Sequence, residues 1–248
     1  MLRSTKELKG YTLRATDGDI GECKDFLFDD LDWGVRYMVA DTGRWIPEKK
    51  ILISPISLGD PDWASNRFPV HLTKEEVKKA PPLAEDEPVS RQHEMTLSQY
   101  YGYPYYWVGN SLWGPEATPA ELKKRIEKEK ARSEAVEKGD PHLRSVEAVT
   151  GYHISAADGE VGHVEEFIVD DQAWALRYMV VDTRNWLPGR KVLISPDWVE
   201  DFDWEEEEAS VAMEQGQIRN SPEYDPRAPI NRGQEARLYD FYGRPVYW

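Results

Sequence analysis

The chain contains few of the residues that catalytic and metal-binding sites need. Its 248 residues include one cysteine, Cys23, and five histidines. A single cysteine excludes an internal disulfide framework. The sequence has neither Cys-x-x-Cys nor His-x-x-x-His spacing, so it contains no zinc motif. It also lacks the Gly-x-x-x-x-Gly-Lys-Ser/Thr phosphate loop and the Gly-x-Ser-x-Gly elbow of hydrolases.

Long apolar runs and basic charge are also scarce. No run approaches the ~20 residues that span a bilayer. The first residues lead into no hydrophobic stretch, so we expect no secretory signal, no membrane insertion and a cytoplasmic location. The formal net charge is −15, with −4 in residues 1–107 and −11 in residues 143–248. Such a field repels phosphate backbones and anionic lipid, so we do not expect a nucleic-acid partner.

What the sequence does contain is the same segment twice. Residues 2–107 align without a gap on residues 143–248, at a constant offset of 141. About half of the first 54 aligned positions are identical. A period of this length suits a duplicated domain better than a solenoid. We predict three parts: a first copy over 1–107, a helical linker over 108–142 and a second copy over 143–248.

Each copy begins with a series of short strands. Asp17-Gly18, repeated as Asp158-Gly159, indicates a hairpin turn between extended runs. Several strands are apolar on both faces, which favours a closed or strongly coiled small sheet. We therefore predict a mainly β chain with short helices, built from two small β-barrels of five or six strands. In the first copy the predicted strands cover 11–16, 20–29, 35–42, 50–54 and 67–72.

Helices are predicted outside the strands. Thr73 and Glu76 have the spacing of a capping box at the start of a short helix. In the linker, Thr118 and Glu121 have the same spacing around a proline, which predicts a helix that runs to Lys138. This helix is nearly all charged, so we expect it to orient the two copies and to carry no chemistry.

Each copy ends in a helix and an aromatic segment. Ser90 and Asn231 occupy equivalent positions and are good N-caps for a helix of about ten residues. Gly102 and Gly243 stand where a glycine ends a helix. We predict that the aromatic ends that follow, at Trp107 and Trp248, pack onto the barrels.

A comparison of the copies removes the usual catalytic candidates, because a residue essential to a shared function should occur twice. None of the five histidines does, and Cys23 aligns with Val164. Ser54 and Ser195 are shared, but no shared histidine is available as their base. We therefore expect no catalytic residue, no metal site and no cofactor, and we interpret Cys23 as a small core residue.

Turn aspartates, one arginine and tryptophans occur in both copies. Arg36 lies inside an apolar strand, where an arginine pairs with a carboxylate or stacks on an aromatic ring. Asp41 or Trp33 is a candidate partner, in a structural pair or a ligand anchor. The shared aspartates are turn residues or, alternatively, a metal or proton site. The candidate binding or interface residues are Trp45, Trp186, Arg36, Arg177, Asp41, Asp182, Trp107 and Trp248.

The order of these motifs resembles the PRC-barrel family. The motifs are Asp17-Gly18, the segments 21–30 and 33–42, and Leu52–Pro55, each repeated in the second copy. The resemblance covers about 80 residues per copy, and the extensions at 88–107 and 229–248 are similar to those of a bacterial tandem subgroup. It implies a coiled, roughly six-stranded barrel. It also implies binding and scaffolding roles, as in the cytoplasmic domain of the photosynthetic reaction centre H subunit and the C-terminal domain of a ribosome-maturation factor.

These observations predict a non-catalytic interaction or scaffold protein, with two barrels arranged as a pseudo-dimer. Its partner is expected to be a protein, and homo-oligomer formation is left open. The alternative is a small-ligand or cation-binding protein that uses the Arg36 and Arg177 pairs with Asp41 and Asp182. A weaker alternative is an enzyme with a site at the seam between the copies, where an unshared residue such as His93 could act.

Overall fold

The computed structural model describes residues 1–43, 46, 50–82, 89–123, 143–183 and 190–248. The chain forms two compact units. The predicted boundaries follow the repeat, whereas each of these units contains chain from both copies. The first-repeat unit comprises Glu7–Ser145 and Gln172–Ala175, and the second-repeat unit comprises Met1–Lys6, Val146–Asp171 and Leu176–Trp248.

The strands and helices follow the same order in both copies, except that the second copy has one additional strand, β12. In the first copy they are β1 (Leu2–Ser4), α1 (Thr5–Leu8), β2 (Thr12–Ala15), β3 (Gly18–Asp29), β4 (Val35–Asp41), β5 (Lys50–Ile53), β6 (Arg67–Pro69), α2 (Lys74–Lys79) and α3 (Arg91–Tyr101). In the second copy they are β7 (Leu143–Ser145), α4 (Val146–Val149), β8 (His153–Ala156), β9 (Gly159–Asp170), β10 (Ala175–Asp182), β11 (Lys191–Ile194), β12 (Val199–Asp203), β13 (Glu208–Val211), α5 (Gln215–Asn220) and α6 (Arg232–Tyr242).

Each unit contains one mixed, open sheet. The strand order is β5-β4-β3-β2-β6 in the first-repeat unit, with β7 also paired to β3. It is β11-β10-β9-β8-β13-β12 in the second-repeat unit, with β1 also paired to β9. The pairs β2–β6 and β8–β13 are parallel. The end strands of each described sheet are different strands that do not pair with each other, so neither sheet closes.

The prediction of two β-barrels is therefore wrong. It relied on strands that are apolar on both faces, and β4 is indeed buried on both. One face of the sheet, with Tyr37 and Leu52, packs in a cluster that includes Leu97 of α3 and Leu143 of β7. Met38, on the opposite face, is also buried. Helix α3 covers the Tyr37 face, and β7, which extends the sheet beside β3, adds Leu143 to the same cluster, so that face is buried without closure.

Strand exchange between the copies builds both sheets. The Leu-Arg-Ser segment of the first copy is β1, which pairs with β9 of the second, so that Ser4 lies opposite Ile168. The same segment of the second copy is β7, which pairs with β3 of the first in the equivalent register, with Ser145 opposite Leu27. Each copy thus gives its first strand to the sheet of the other.

Polar contacts fix both exchanged strands. Ser4 donates a hydrogen bond to the buried carboxylate of Glu166. Ser145, the equivalent residue, donates to the buried carboxylate of Asp25. Arg144 adds an ion pair with Asp30, in which Nε lies 2.9 Å from Oδ2. These contacts satisfy carboxylates that would otherwise be costly to bury.

A close backbone approach explains one shared glycine. Gly21 in β3 has a φ of 132°, and a Cβ on it would lie 2.0 Å from the carbonyl oxygen of Asp41. Gly162 and Asp182 repeat this arrangement at 2.1 Å. No side chain fits between these strands, so glycine is required in both copies.

The helix ends confirm most of the predicted caps. Thr73 and Glu76 form the capping box of α2. Ser90 and Asn231 cap α3 and α6, which end at glycines in the left-handed conformation. In the linker, the amide of Glu121 donates to the hydroxyl of Thr118 at 3.2 Å, and residues 119–123 are helical. The rest of the predicted linker helix, to Lys138, lies outside the described residues.

Candidate functional site

The structure separates the candidate residues that the sequence grouped together. Trp45 and Trp186 lie outside the described residues. Asp41 ends β4, five positions after Arg36 and therefore on the opposite face of the strand. The Asp41 carboxylate accepts a hydrogen bond from the amide of Gly43 at 2.8 Å, as a turn residue does. The predicted pairing of Arg36 with Asp41 is not formed.

Arg36 instead lies in a pocket of aromatic rings and carboxylates. Its side chain is 1 % exposed and forms an ion pair with Asp32 and a longer one, at 3.7 Å, with Asp29. Its guanidinium carbon lies 3.9 Å from the centroid of the Tyr106 ring. The expectation that this arginine stacks on an aromatic ring holds, but the ring belongs to the C-terminal segment of the copy and not to Trp33.

The Tyr106 ring connects Arg36 to the start of helix α3. The Tyr106 hydroxyl donates to Glu94 at 2.7 Å, and Glu94 is fully buried. Arg91, one turn earlier, lies 3.1 Å from the second oxygen of Glu94. The Arg91 guanidinium also stacks on Trp107 at 4.1 Å. The helix thus holds the aromatic segment through a buried carboxylate, and we call this set of five residues the anchor network.

The second-repeat unit contains the same anchor network. Arg177 stacks on Tyr247 at 4.1 Å, and the Tyr247 hydroxyl donates to Glu235 at 2.7 Å. Arg232 lies 3.0 Å from Glu235 and stacks on Trp248 at 4.2 Å. All five residues align with those of the first copy at the offset of 141. All five residues of the network therefore occur in both copies, as expected for residues with a shared function.

A second tyrosine reaches each buried glutamate from the sheet. Tyr178 in β10 donates to Glu235 at 2.9 Å. Burial, together with the nearby Glu94 carboxylate, raises the pKa of Tyr106 and Tyr37 well above the ordinary range. Burial, together with the hydrogen-bonded Glu235 carboxylate, raises the pKa of Tyr247 to about 12. The tyrosines of the network therefore stay protonated at neutral pH and act as hydrogen-bond donors.

This chemistry is suited to holding structure together. A general base needs a free lone pair near a substrate proton, and a nucleophile needs a lowered pKa. Glu235 receives two tyrosine hydroxyls and faces Arg232. The buried Cys23 thiol also has a pKa raised by burial. Among the described residues, no group of three or more His, Cys, Asp or Glu side chains could hold a metal ion.

The two networks differ in what covers them. In the first-repeat unit, residues 111–116 fold over Arg36, whose Nη1 donates to the carbonyl of Leu112. Trp113 lies 5.3 Å from the Arg36 guanidinium and is 1 % exposed. In the second-repeat unit the Arg177 side chain is 24 % exposed and Trp248 is 45 % exposed. We call residues 111–116 the cover segment.

The cavities beside the two anchor networks also differ in volume. The cavity beside Arg36, Tyr106 and Trp113 measures about 10 Å³, enough for a single water molecule at most. The cavity beside Glu235 and Leu238 measures about 100 Å³. Binding sites for drug-sized ligands usually measure about 300–1,000 Å³. Neither cavity at the network has the size of such a site.

The sequence reasoning missed most of this site. It identified Arg36, Arg177, Trp107 and Trp248, but not the glutamates, the tyrosines or the second arginine. Those six residues were visible as identities between the copies: Arg91, Glu94, Tyr106, Arg232, Glu235 and Tyr247. Helix caps and aromatic ends alone do not indicate these residues, whereas identity between the copies does.

Comparison with known proteins identifies no family for this chain. It matches no family model, and no curated protein matches it. The resemblance to the PRC-barrel family therefore stays a prediction. Among the residues that the structure describes, no helix is long and apolar enough to cross a membrane.

Proposed function

We propose that this chain is a non-catalytic interaction protein, in which each copy serves as a rigid support for an aromatic surface. The observation that carries the proposal is the anchor network. The same five residues recur at the end of both copies around a buried glutamate, and they bind one another. Buried arginine–carboxylate contacts of this kind hold a segment in one geometry at the cost of chemical reactivity.

The network holds its aromatic residue in position for a contact. Trp248 packs against the Arg232 guanidinium and against Tyr239, whose ring centroid lies 5.5 Å from that of Trp248. Its outer part is exposed, and so is the neighbouring Val246. A pre-positioned tryptophan loses little side-chain entropy on binding, which is one reason why tryptophan dominates interface energies. We therefore place the principal contact surface at Trp248.

Site-specific photo-crosslinking tests this function. Benzoylphenylalanine at position 248 of the full chain should capture a discrete partner protein in the cell, because this side chain is part of the contact. The control carries the same group at position 31, where Leu31 is 82 % exposed but is not part of the network.

A partner crosslinked from position 248 and not from position 31 supports the proposal. Equal crosslinking from both positions contradicts it. The proposal is also contradicted if the wild-type chain turns over a substrate in a broad screen and position 248 gives no crosslink.

A further inference from the structure

The cover segment shows what kind of ligand fits the face of an anchor network. It is a short turn in which the amide of Ser111 donates to the carbonyl of Gly114 at 2.8 Å. A Cβ on Gly109 would lie 2.3 Å from Gly114, so the chain before the turn also packs tightly. The turn presents a tryptophan ring to Tyr106, with ring centroids 6.4 Å apart, and a carbonyl oxygen to Arg36.

Among the described residues, the second-repeat unit repeats the receiving face without this turn. Arg177, Tyr247 and Trp248 occupy the positions of Arg36, Tyr106 and Trp107. In the described part of the chain, Tyr247 has ring contacts with Tyr239 and Trp248, and no equivalent of Trp113 packs on it. We call the surface formed by Arg177, Tyr247 and Trp248 the open face.

Charge at the open face also differs from that in the first copy. Arg36 pairs with Asp32 and with the carbonyl of Leu112. Arg177 pairs with Asp170 at 3.6 Å, but Ala173 stands where Asp32 does in the first copy. Among the described residues, the 24 % exposed Arg177 guanidinium therefore makes fewer polar contacts than Arg36, which has two carboxylates and a carbonyl. An arginine stacked on a ring with donors to spare is suited to a carbonyl or carboxylate brought by a ligand.

We propose that the open face binds a tryptophan-bearing turn of a partner protein, in the manner of the cover segment. The tryptophan ring meets Tyr247 edge-on, as Trp113 meets Tyr106, and a backbone carbonyl next to the tryptophan accepts from Arg177. The template for this turn is Ser-Leu-Trp-Gly-Pro-Glu, residues 111–116 of this chain. This inference rests on the proposed function, because it names the chemistry of the partner at the same surface.

Peptide binding to the full chain tests the inference. The probe is a fluorescein-labelled peptide with the sequence of residues 108–117, titrated with the full chain and followed by fluorescence anisotropy. The first-repeat face is already occupied by the cover segment at a high effective concentration, so the free peptide reports on the open face. Saturable one-to-one binding is expected.

Two changes identify the contacts. Arg177→Gln should weaken binding at least about tenfold, as expected for a residue at the centre of an interface. Arg227→Gln, which alters an exposed arginine elsewhere in the same unit, should leave it unchanged. An alanine in place of the peptide tryptophan should abolish binding. That last result does not depend on the folding of any protein variant.

Three results would overturn the inference: no saturable binding, equal binding by wild type and Arg177→Gln, or unchanged binding of the alanine peptide. Sedimentation velocity tests whether a second copy of this chain occupies the open face. A wild-type dimer that Arg177→Gln converts to a monomer assigns the open face to a second copy and overturns the proposal. If the peptide fails but position 248 still crosslinks a partner, the proposed function stands and only the identity of the ligand is wrong.

Discussion

A buried carboxylate is the central residue of each anchor network. Glu94 is fully buried and receives the Tyr106 hydroxyl while it faces Arg91. Removing one member of such a group leaves the others desolvated and poorly paired. The strength of the network therefore depends on whether its arginine is also buried. Arg91 is 12 % exposed, whereas Arg232 in the second copy is 56 % exposed.

We predict that Glu94→Gln lowers the free energy of unfolding by about 3 kcal/mol, because it leaves the largely buried Arg91 without its carboxylate. Glu235→Gln, the matched variant, should cost less, about 1.5 kcal/mol, since water solvates Arg232. Urea denaturation of both variants measures the difference. A larger loss from Glu235→Gln would show that burial of the arginine does not set the cost.

The raised pKa of the buried tyrosines predicts how stability depends on alkaline pH. In the unfolded chain a tyrosine loses its proton near pH 10, whereas Tyr106 and Tyr178 in the folded chain keep theirs. The folded state then binds more protons, so its stability is complete below about pH 10 and falls as the pH rises further. Melting temperatures between pH 8 and pH 11.5 should decrease above pH 10.

Ultraviolet absorbance of tyrosinate gives a separate check on the same residues. Some of the 13 tyrosines should ionise only when the chain unfolds. Ionisation of all of them near pH 10 with the fold intact would contradict the burial of this group.

At the scale of elements, local sequence determined the caps and the strands but not the closure of the sheet. The capping boxes depend on residues three positions apart, so Thr73 and Glu76 were interpretable without tertiary structure. The character of β4, apolar on both faces, was also interpreted correctly. Helix α3 packs on one of these faces together with Leu143 of β7, and both lie far along the chain from β4. A pattern within one strand cannot distinguish this cover from a closed barrel.

The exchanged strand β1 yields a prediction about a distant part of the chain. Deletion of residues 2–6 should remove hydrogen-exchange protection from residues 168–170 at the end of β9, because those residues pair with β1. Residues 27–29 in β3 should stay protected, since they pair with β7.

Mass spectrometry of peptic fragments distinguishes these two sites. Loss of protection at 27–29 instead of 168–170 would mean that each copy keeps its own first strand. The variant Ser4→Ala, which removes the hydroxyl contacts with Glu166 and the Lys6 amide but keeps the strand, should give a weaker effect at the same residues.

For the molecule as a whole, strand exchange makes each unit depend on both halves of the chain. The second-repeat unit includes Met1–Lys6, and the first-repeat unit includes Leu143–Ser145 and Gln172–Ala175. Trp174, from the second copy, contacts Phe26 and Phe68 in the core of the first-repeat unit. The predicted division at 107 and 143 follows the repeat in the sequence, whereas packing divides the chain differently.

We predict that the two halves stay together after the chain is cut between them. A protease site inserted after Lys130 would separate residues 1–130 from 131–248. The cut chain should elute from size-exclusion chromatography at the position of the intact one, because each unit needs strands from both halves. The halves should separate only in denaturant. Separate elution in native buffer would contradict the exchange.

The sequence by itself determined the repeat of residues 2–107 at 143–248, most strands, the helix caps and the burial of Cys23. These features depend on residues that are neighbours in the chain or identical in the two copies. Tertiary structure alone decided which sheet receives each Leu-Arg-Ser strand. Both strands have the same sequence and both sheets offer equivalent carboxylates, so strand chemistry cannot choose between them. Tertiary structure also decided that the first anchor network is covered, because the cover is a non-repeated segment that follows Trp107 and folds back onto Arg36.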